Sequence, residues 1–214
     1  MAKKTVFVST ENNFYEEIVE YVFNPGFALV QKQKNVDSIE QAIKKTNPNA
    51  KVLEVSSKSK EKLGIKLSAF NLTLNGISVE SIFQSSKVFV DGTQYSFLID
   101  YPANKAKKYI KENARGQLKC FKYNNEEYPL FPKTAFYDYI YIKALIENKD
   151  ISSKLVEYDV FTDVEFNSEK SINCQARTCA IYSFLLKSKR VNEFLLSFSK
   201  FVELYKFDAK PTLI

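Results

Sequence analysis

The stretch Leu67-Ser68-Ala69-Phe70-Asn71-Leu72-Thr73-Leu74-Asn75-Gly76-Ile77-Ser78-Val79-Glu80-Ser81-Ile82-Phe83-Gln84-Ser85-Ser86-Lys87-Val88-Phe89 sets the fold class. Residues 67–74 read as a strand. Asn75-Gly76 is a tight-turn dipeptide, because both residues tolerate positive φ. Ser78 is a good N-cap for a helix that runs to about Phe89, and Glu80 falls in its first turn, where the dipole favours an acid. Asp91-Gly92 then closes the segment. With the C-terminal half helical and short strands confined to the first half, the chain has the segregated pattern of an α+β fold.

Upstream, residues 5–8 read as a short strand, residues 13–23 as a strand or a short helix, and Asn24-Pro25-Gly26 as a turn. Residues 36–45 carry apolar or small side chains at helical spacing (Val36, Ile39, Ala42, Ile43), and Asn47-Pro48 stops them. Residues 51–56 read as a strand, followed by a polar loop at 57–62. Downstream, residues 104–113 form a lysine-rich helix and residues 118–123 a strand ending at the turn Asn124-Asn125. A helix over 133–147 comes next, then one capped by Ser152 or Ser153 and running toward Tyr158. Residues 162–171 are a polar loop. Residues 173–187 and 191–205 are helices, the first opened by Asn173 as N-cap. The chain is therefore expected to be mainly α with short strands, a single compact α+β domain over 1–214.

Composition narrows the chemistry. The 214 residues include no His and no Trp, three Cys, one Met and five Gly. Without His there is no imidazole base and no His-ligated metal. Three thiols cannot complete a four-thiolate zinc site. Neither the dinucleotide fingerprint nor a P-loop is present. Chemistry must come from carboxylates, amines, hydroxyls and amides, and no metal or cofactor is expected. Cys120, Cys174 and Cys179 cannot all pair, which fits reduced thiols in a cytoplasm. Cys174 and Cys179 are expected to pack as small apolar residues. The apolar runs fall short of a membrane span, and the N-terminus lacks a secretory signal. Net charge is +6, from 31 basic against 25 acidic residues. That is compatible with an anionic partner and equally with a solvated lysine surface.

On a helix, Glu80, Gln84 and Lys87 fall at i, i+4 and i+7, with Phe83 beside them. A carboxylate, an amide, an amine and an aromatic ring on one face suit a glycosidase or ribose-handling site. The same spacing also describes an ordinary solvated face with an ion pair bridged by Gln.

Together with Ser68 and Phe70 upstream, the pattern G-x-S-V-E-x-x-F-Q-x-x-K-x-F at 76–89 resembles the NADAR superfamily, which cleaves N-glycosidic bonds. Leu155-Val156-Glu157, an Asp-containing loop and Asn173 resemble the family's second block. Pro25-Gly26-Phe27-Ala28-Leu29-Val30-Gln31-Lys32-Gln33-Lys34, Lys133-Thr134-Ala135-Phe136-Tyr137-Asp138 and Ser171-Ile172-Asn173-Cys174-Gln175-Ala176-Arg177 are similar to the branch encoded beside DarT-type toxins. Those toxins ADP-ribosylate guanine in DNA, and the NADAR partner removes the modification. The resemblance implies one NADAR-like domain with core motifs at about 56–186 and a branch-specific extension over 1–55. The family tryptophans are absent, and Cys174-Gln175-Ala176 stands where many members have a Gly. This separates the chain from riboflavin-pathway members and leaves stacking to Phe or Tyr, with Phe161 or Phe166 in the Asp loop as choices.

Hydrolysing an N-ribosyl bond needs a carboxylate near an oxocarbenium-like ribose and a group that protonates the departing base. By the resemblance, Glu80 takes the first role and Asp163 the second, with Asp159 as competitor. Lys87 holds Glu80 ionised, binds a diphosphate, or attacks the anomeric carbon and forms an imine. Ser57, Lys58, Ser68, Phe70, Asn71, Phe83, Gln84, Phe161, Asn173, Gln175 and Arg177 are the expected substrate-binding residues. Tyr137 and Tyr139 are expected to be packing residues, and Asp138 to support the site from behind. The expected partners are DNA carrying ADP-ribosylated guanine, single-stranded or extruded, ADP-ribose as product, and a cognate DarT-type toxin as functional partner. The lysines of 105–111 and nearby Tyr residues suit such a strand. The competing readings are an N-glycosidase on a free nucleotide of the riboflavin-pathway type, and a non-catalytic antitoxin that binds its toxin.

Overall fold

The computed structural model describes residues 1–169 and 171–207. In chain order the elements are β1 (Ala2–Ser9), β2 (Phe14–Tyr21), α1 (Leu29–Thr46), β3 (Val52–Glu54), α2 (Lys62–Lys66), β4 (Thr73–Leu74), β5 (Ile77–Ser78), α3 (Val79–Ser85) and β6 (Lys87–Phe89). They continue with α4 (Ala103–Asn113), β7 (Leu118–Tyr123), β8 (Glu126–Tyr128), α5 (Ala135–Glu147), α6 (Lys149–Ser152), β9 (Val160–Thr162), α7 (Gln175–Lys187), α8 (Val191–Phe194) and α9 (Phe198–Val202). Turns of 3-10 helix span Ser96–Asp100, Ser153–Glu157 and Glu203–Phe207. The fold is α+β, as the sequence pattern indicates. Among the described residues no helix is long and apolar enough to cross a membrane.

The chain groups into two compact units, one from residues 1–68 and 149–214 and the other from residues 69–148. The first unit is built on a sheet of order β2-β1-β9-β3, in which β1 runs antiparallel to β2 and β9 while β3 is parallel to β9. The run Val6-Phe7-Val8 is buried on both faces because β1 is a central strand. Val6 and Val8 pack with Ile39 and Ile43 of α1 and Val160 of β9. Phe7 points to the other face by alternation. Phe14, cross-strand from Ser9, lies on that same face, and its ring meets Phe184 of α7 at 5.7 Å. Cys174 and Cys179 are buried, as expected of small apolar residues.

In the second unit the Asn75-Gly76 turn forms with φ of 52° and 78° and closes the β4–β5 hairpin in register Thr73↔Ser78. Asn124 and Asn125, both at positive φ, join β7 to β8 in the sheet β6-β7-β8. Helix α5 is buried nearly all round, from Phe136 to Leu145. Tyr137 and Tyr139 are core residues. The rings of Phe83, Phe121, Phe136 and Tyr137 form one cluster, with centroids 4.6–5.4 Å apart for Phe121–Phe136, Phe83–Tyr137 and Phe83–Phe121.

Several sequence expectations are corrected. The helix opened by Ser78 ends at Ser85, not near Phe89, because Ser85 and Ser86 turn their hydroxyls onto the Ile82 carbonyl and Lys87–Phe89 then pair with β7. Asp91-Gly92 is consequently a turn after β6, with Gly92 N–H donating to Phe89 O. Residues 67–72 are irregular rather than a strand, although Leu67, Ala69 and Leu72 are buried as their apolarity requires. The expected helix over 191–205 breaks at Ser197, whose hydroxyl accepts from Lys200 N–H and caps a new helix. Strand β9 begins before the expected 162–171 loop, since Val160-Phe161-Thr162 are β-formers at the sheet centre; residue 170 of that loop lies outside the described residues. Helix α1 starts at Leu29, seven residues before its apolar periodicity, through the helix-favouring Gln31-Lys32-Gln33-Lys34.

Candidate functional site

The second unit carries the Glu80 constellation. Ser78 caps α3 by accepting from Ser81 N–H at 3.1 Å, and Ser81 Oγ donates to Tyr101 O at 2.8 Å. The N–H of Glu80 is anchored on Ala69 O at 3.0 Å. The helix start is therefore pinned, and Glu80 stands in its first turn with a buried side chain. Gln84, one turn on, donates from Nε2 to Glu80 Oε1 at 2.8 Å, and Lys87 Nζ donates to Gln84 Oε1 at 2.7 Å. Lys87 reaches this line from strand β6 rather than from the helix. The relay is thus made by a change of secondary structure, not by a shared helical face.

Lys87 Nζ also stands 4.8 Å from the Phe83 ring centroid. Phe83 is itself held in the aromatic cluster, so it serves as a floor beneath the ammonium and not as an open stacking surface. Burial lowers the Lys87 pKa to about 8; the Glu80 carboxylate opposes that shift and the Lys107 cation reinforces it. The amine is then easier to deprotonate near neutral pH than an exposed lysine.

Lys107, on α4, is the residue that sequence reading left out of the site. Its Nζ lies 3.7 Å from Glu80 Oε1 and 5.3 Å from the Phe70 ring centroid. The lysine-rich helix was the only signal for it. Phe70 and Asn71, both expected substrate-binding residues, line an open concavity of about 660 Å³ together with Ser78, Tyr101 and Asn104. The constellation therefore consists of a buried carboxylate, an amide, a partly neutral amine and a second cation.

The first unit holds a separate buried acid cluster. Glu54, at the end of β3, accepts from Ser56 Oγ at 2.6 Å, Thr162 Oγ1 at 2.6 Å and Val164 N–H at 2.8 Å. Burial still raises its pKa. Asp163 follows β9 directly. Burial and then the Glu54 charge raise its pKa to about 7, while Lys4, the Glu165 N–H and the Gln175 side chain act in the other direction. Lys4 donates to Phe166 O, and burial lowers its pKa. The Cys174 sulfur lies 4.0 Å from Asp163 Oδ2, and burial pushes its thiol up. Glu54 and Lys4 went unnoticed in the sequence; a carboxylate inside the apolar run Val52-Leu53-Glu54-Val55 was the signal. Among the described residues no group of three or more carboxylates or thiols is placed to hold a metal ion.

The other expected residues fall as follows. Asp159, the competitor of Asp163, accepts from Lys51 N–H at 3.1 Å and pairs with Lys187 at 3.4 Å, an arrangement that braces the sheet edge. Phe161 is fully buried in β9 beside Tyr158, so it is a core residue and not a stacking surface. Phe166 is half-buried with its ring 6.0 Å from Phe7. The N-cap of α7 is Cys174, one residue after Asn173, because Cys174 takes the extended conformation and its carbonyl accepts from Thr178 N–H. Asn173 is half-buried, and Gln175 begins the helix. Arg177 is buried with its guanidinium 5.7 Å from the Phe14 ring and 5.1 Å from the Tyr205 ring. Ser57 is exposed, Lys58 half-buried with its N–H on Ser56 Oγ, and Ser68 fully buried. Asp138 is fully buried and accepts from Thr134 Oγ1 at 2.8 Å.

A protein-family model described as DarT1-associated NADAR antitoxin matches residues 2–212. No curated protein matches the chain.

Proposed function

This chain belongs to the DarT1-associated NADAR antitoxin family, and we propose that it works there as an ADP-ribosyl glycohydrolase that removes ADP-ribose from guanine in DNA. The observation that carries the reading is the line Lys87–Gln84–Glu80, buried at its acid end and holding an amine of lowered pKa at the other.

Glu80 supplies negative charge to the ribose as its bond to the base breaks. Gln84 fixes the carboxylate and aligns the amine. Neutral Lys87 attacks the anomeric carbon. A C–N bond forms to Nζ as the glycosidic C–N bond breaks, its electron pair leaving with the base, which takes up a proton. Opening of the ribose ring gives an imine, and water then releases ADP-ribose and restores the amine. Asp163, raised to about 7 by burial and the Glu54 charge, is a candidate acid by its own chemistry.

Incubation with a guanine-ADP-ribosylated oligonucleotide should release ADP-ribose. Borohydride added during turnover should trap an adduct on Lys87. If Lys87→Arg keeps full activity and no adduct forms, the covalent route fails. If folded protein releases no ADP-ribose, the glycohydrolase reading itself fails. An isosteric Glu80→Gln variant that still protects cells from the toxin would point to neutralisation by binding instead.

A further inference from the structure

Phe97 and Tyr101 stand 45% and 40% exposed, and Phe70 36%, although large rings are ordinarily drawn into the core. They are not scattered. The Phe97 ring is 5.6 Å from Tyr101 and 5.3 Å from Tyr109, which in turn meets Tyr95 at 5.5 Å. Tyr101 and Phe70 both line the 660 Å³ concavity, with Pro102, Ala103 and Asn104 of the α4 start beside Tyr101 on its wall. From Phe70 the next group is Lys107, which reaches Glu80. Exposed rings thus lead from Phe97, through the concavity, to the proposed catalytic carboxylate.

The charge around this line is positive. Helix α4 buries Ala103, Ala106 and Ile110 and turns Lys105, Lys107, Lys108 and Lys111 outward. Asp100 is the acid on the concavity wall. Lys108 is 3.8 Å from Glu112, an exposed pair that costs little to exchange for a phosphate. Protein-binding faces are depleted in lysine. Rings interleaved with lysines are the pattern of a surface that stacks bases and tracks a phosphate chain, without regard to sequence.

We infer that Phe97, Tyr101 and Phe70, with Lys105 and Lys108, form a track for the single-stranded DNA flanking the modified guanine. This rests on the glycohydrolase reading and adds to it the place of the strand. The track takes the nucleotides beside the target, whereas the ribose and diphosphate belong to the Glu80–Lys87 end.

The test uses the full chain and two measurements. The first is anisotropy with an unmodified single-stranded oligonucleotide at several salt concentrations. Phe97→Ala should weaken binding about tenfold, the loss of about one stacked base. Phe97→Leu, which keeps apolar bulk without the flat ring, should do nearly the same while retaining the wild-type Tm. The Lys105→Gln/Lys108→Gln variant should lower the slope of log affinity against log salt by about 0.7 for each phosphate that a lysine no longer neutralises. The second measurement compares kcat/KM on an ADP-ribosylated oligonucleotide and on ADP-ribosylated guanosine monophosphate. The Phe97 variants should lose about tenfold on the first and stay within about twofold on the second. Unchanged oligonucleotide affinity in Phe97→Leu overturns the track. Equal losses on both substrates also overturn it, because they would place the adenine of ADP-ribose on these rings. If wild type hydrolyses neither substrate while its oligonucleotide binding still depends on Phe97, the catalytic reading falls and the track stands.

Discussion

Replacing Asp163 by Asn should flatten the pH dependence of folding stability between pH 5 and 7.5. The wild-type carboxyl is raised from 3.8 to about 7 by burial and by the neighbouring Glu54 charge. The folded chain therefore holds the proton more tightly than the unfolded chain. The stabilisation is full below the unfolded value and is lost as pH rises through about 7. With these two values, linkage gives a stabilisation on the order of 2–3 kcal/mol at pH 5 that is almost gone at pH 7.5. Asn is close to isosteric, and its carbonyl can keep the hydrogen bond from Glu165 N–H that Asp163 Oδ1 accepts at 2.9 Å. Because the Glu54 and Asp163 charges act on each other, the difference between the two proteins belongs to the pair and not to Asp163 alone. Urea unfolding at the two pH values measures the difference, followed by far-UV circular dichroism because the chain has no Trp. Wild type should lose about 2–3 kcal/mol more than Asp163→Asn on going from pH 5 to 7.5. If the two proteins change by the same amount within about 0.5 kcal/mol, burial does not raise Asp163 and the linkage reasoning is refuted.

Glu80→Gln keeps a carbonyl for Gln84 Nε2 to donate to but removes the charge, so kcat on an ADP-ribosylated oligonucleotide should fall at least about a hundredfold while the melting temperature holds. Lys107→Gln removes the cation that helps lower the Lys87 pKa, so the rising limb of the pH–rate profile should move to higher pH. The shift should be less than about one pH unit, because Lys107 is 58% exposed and solvent screens it, and an unmoved limb would detach Lys107 from Lys87. Gly64→Ala should cost about 2 kcal/mol and lower Tm by about 4–8 °C, since a Cβ there would stand 1.9 Å from the Glu54 carbonyl oxygen. An unchanged Tm would mean that β3 shifts freely.

Local patterns were legible where the controlling interaction lies within a few residues. The Asn75-Gly76 turn, the Ser78 cap and the Asn124-Asn125 turn formed as read, because positive φ and a capping hydroxyl are set by the residues themselves. Glu80 and Gln84 were legible for the same reason, as one turn of helix joins them. Phe161 misled: placed in the polar Asp loop, it is a strand residue whose ring the sheet buries. Lys87 was assigned to the right group of residues through the wrong geometry, since pairing with β7 ended the helix first.

The α+β class, the lack of any imidazole and the grouping of Glu80, Gln84 and Lys87 can all be read from the linear chain. Tertiary structure alone decided the rest. It brought Lys107 to Glu80 across a change of element. It turned Glu54 and Asp163 into a buried pair by placing β3 and β9 side by side, Glu54 opposite Thr162. Desolvation and charge depend on what surrounds a group from every direction, and Lys4, whose charge acts on Asp163, also donates to Phe166 O, 162 residues along the chain. No local spacing encodes them, and so the shifted pKa of Lys87 and of Asp163 could be read only from the folded protein.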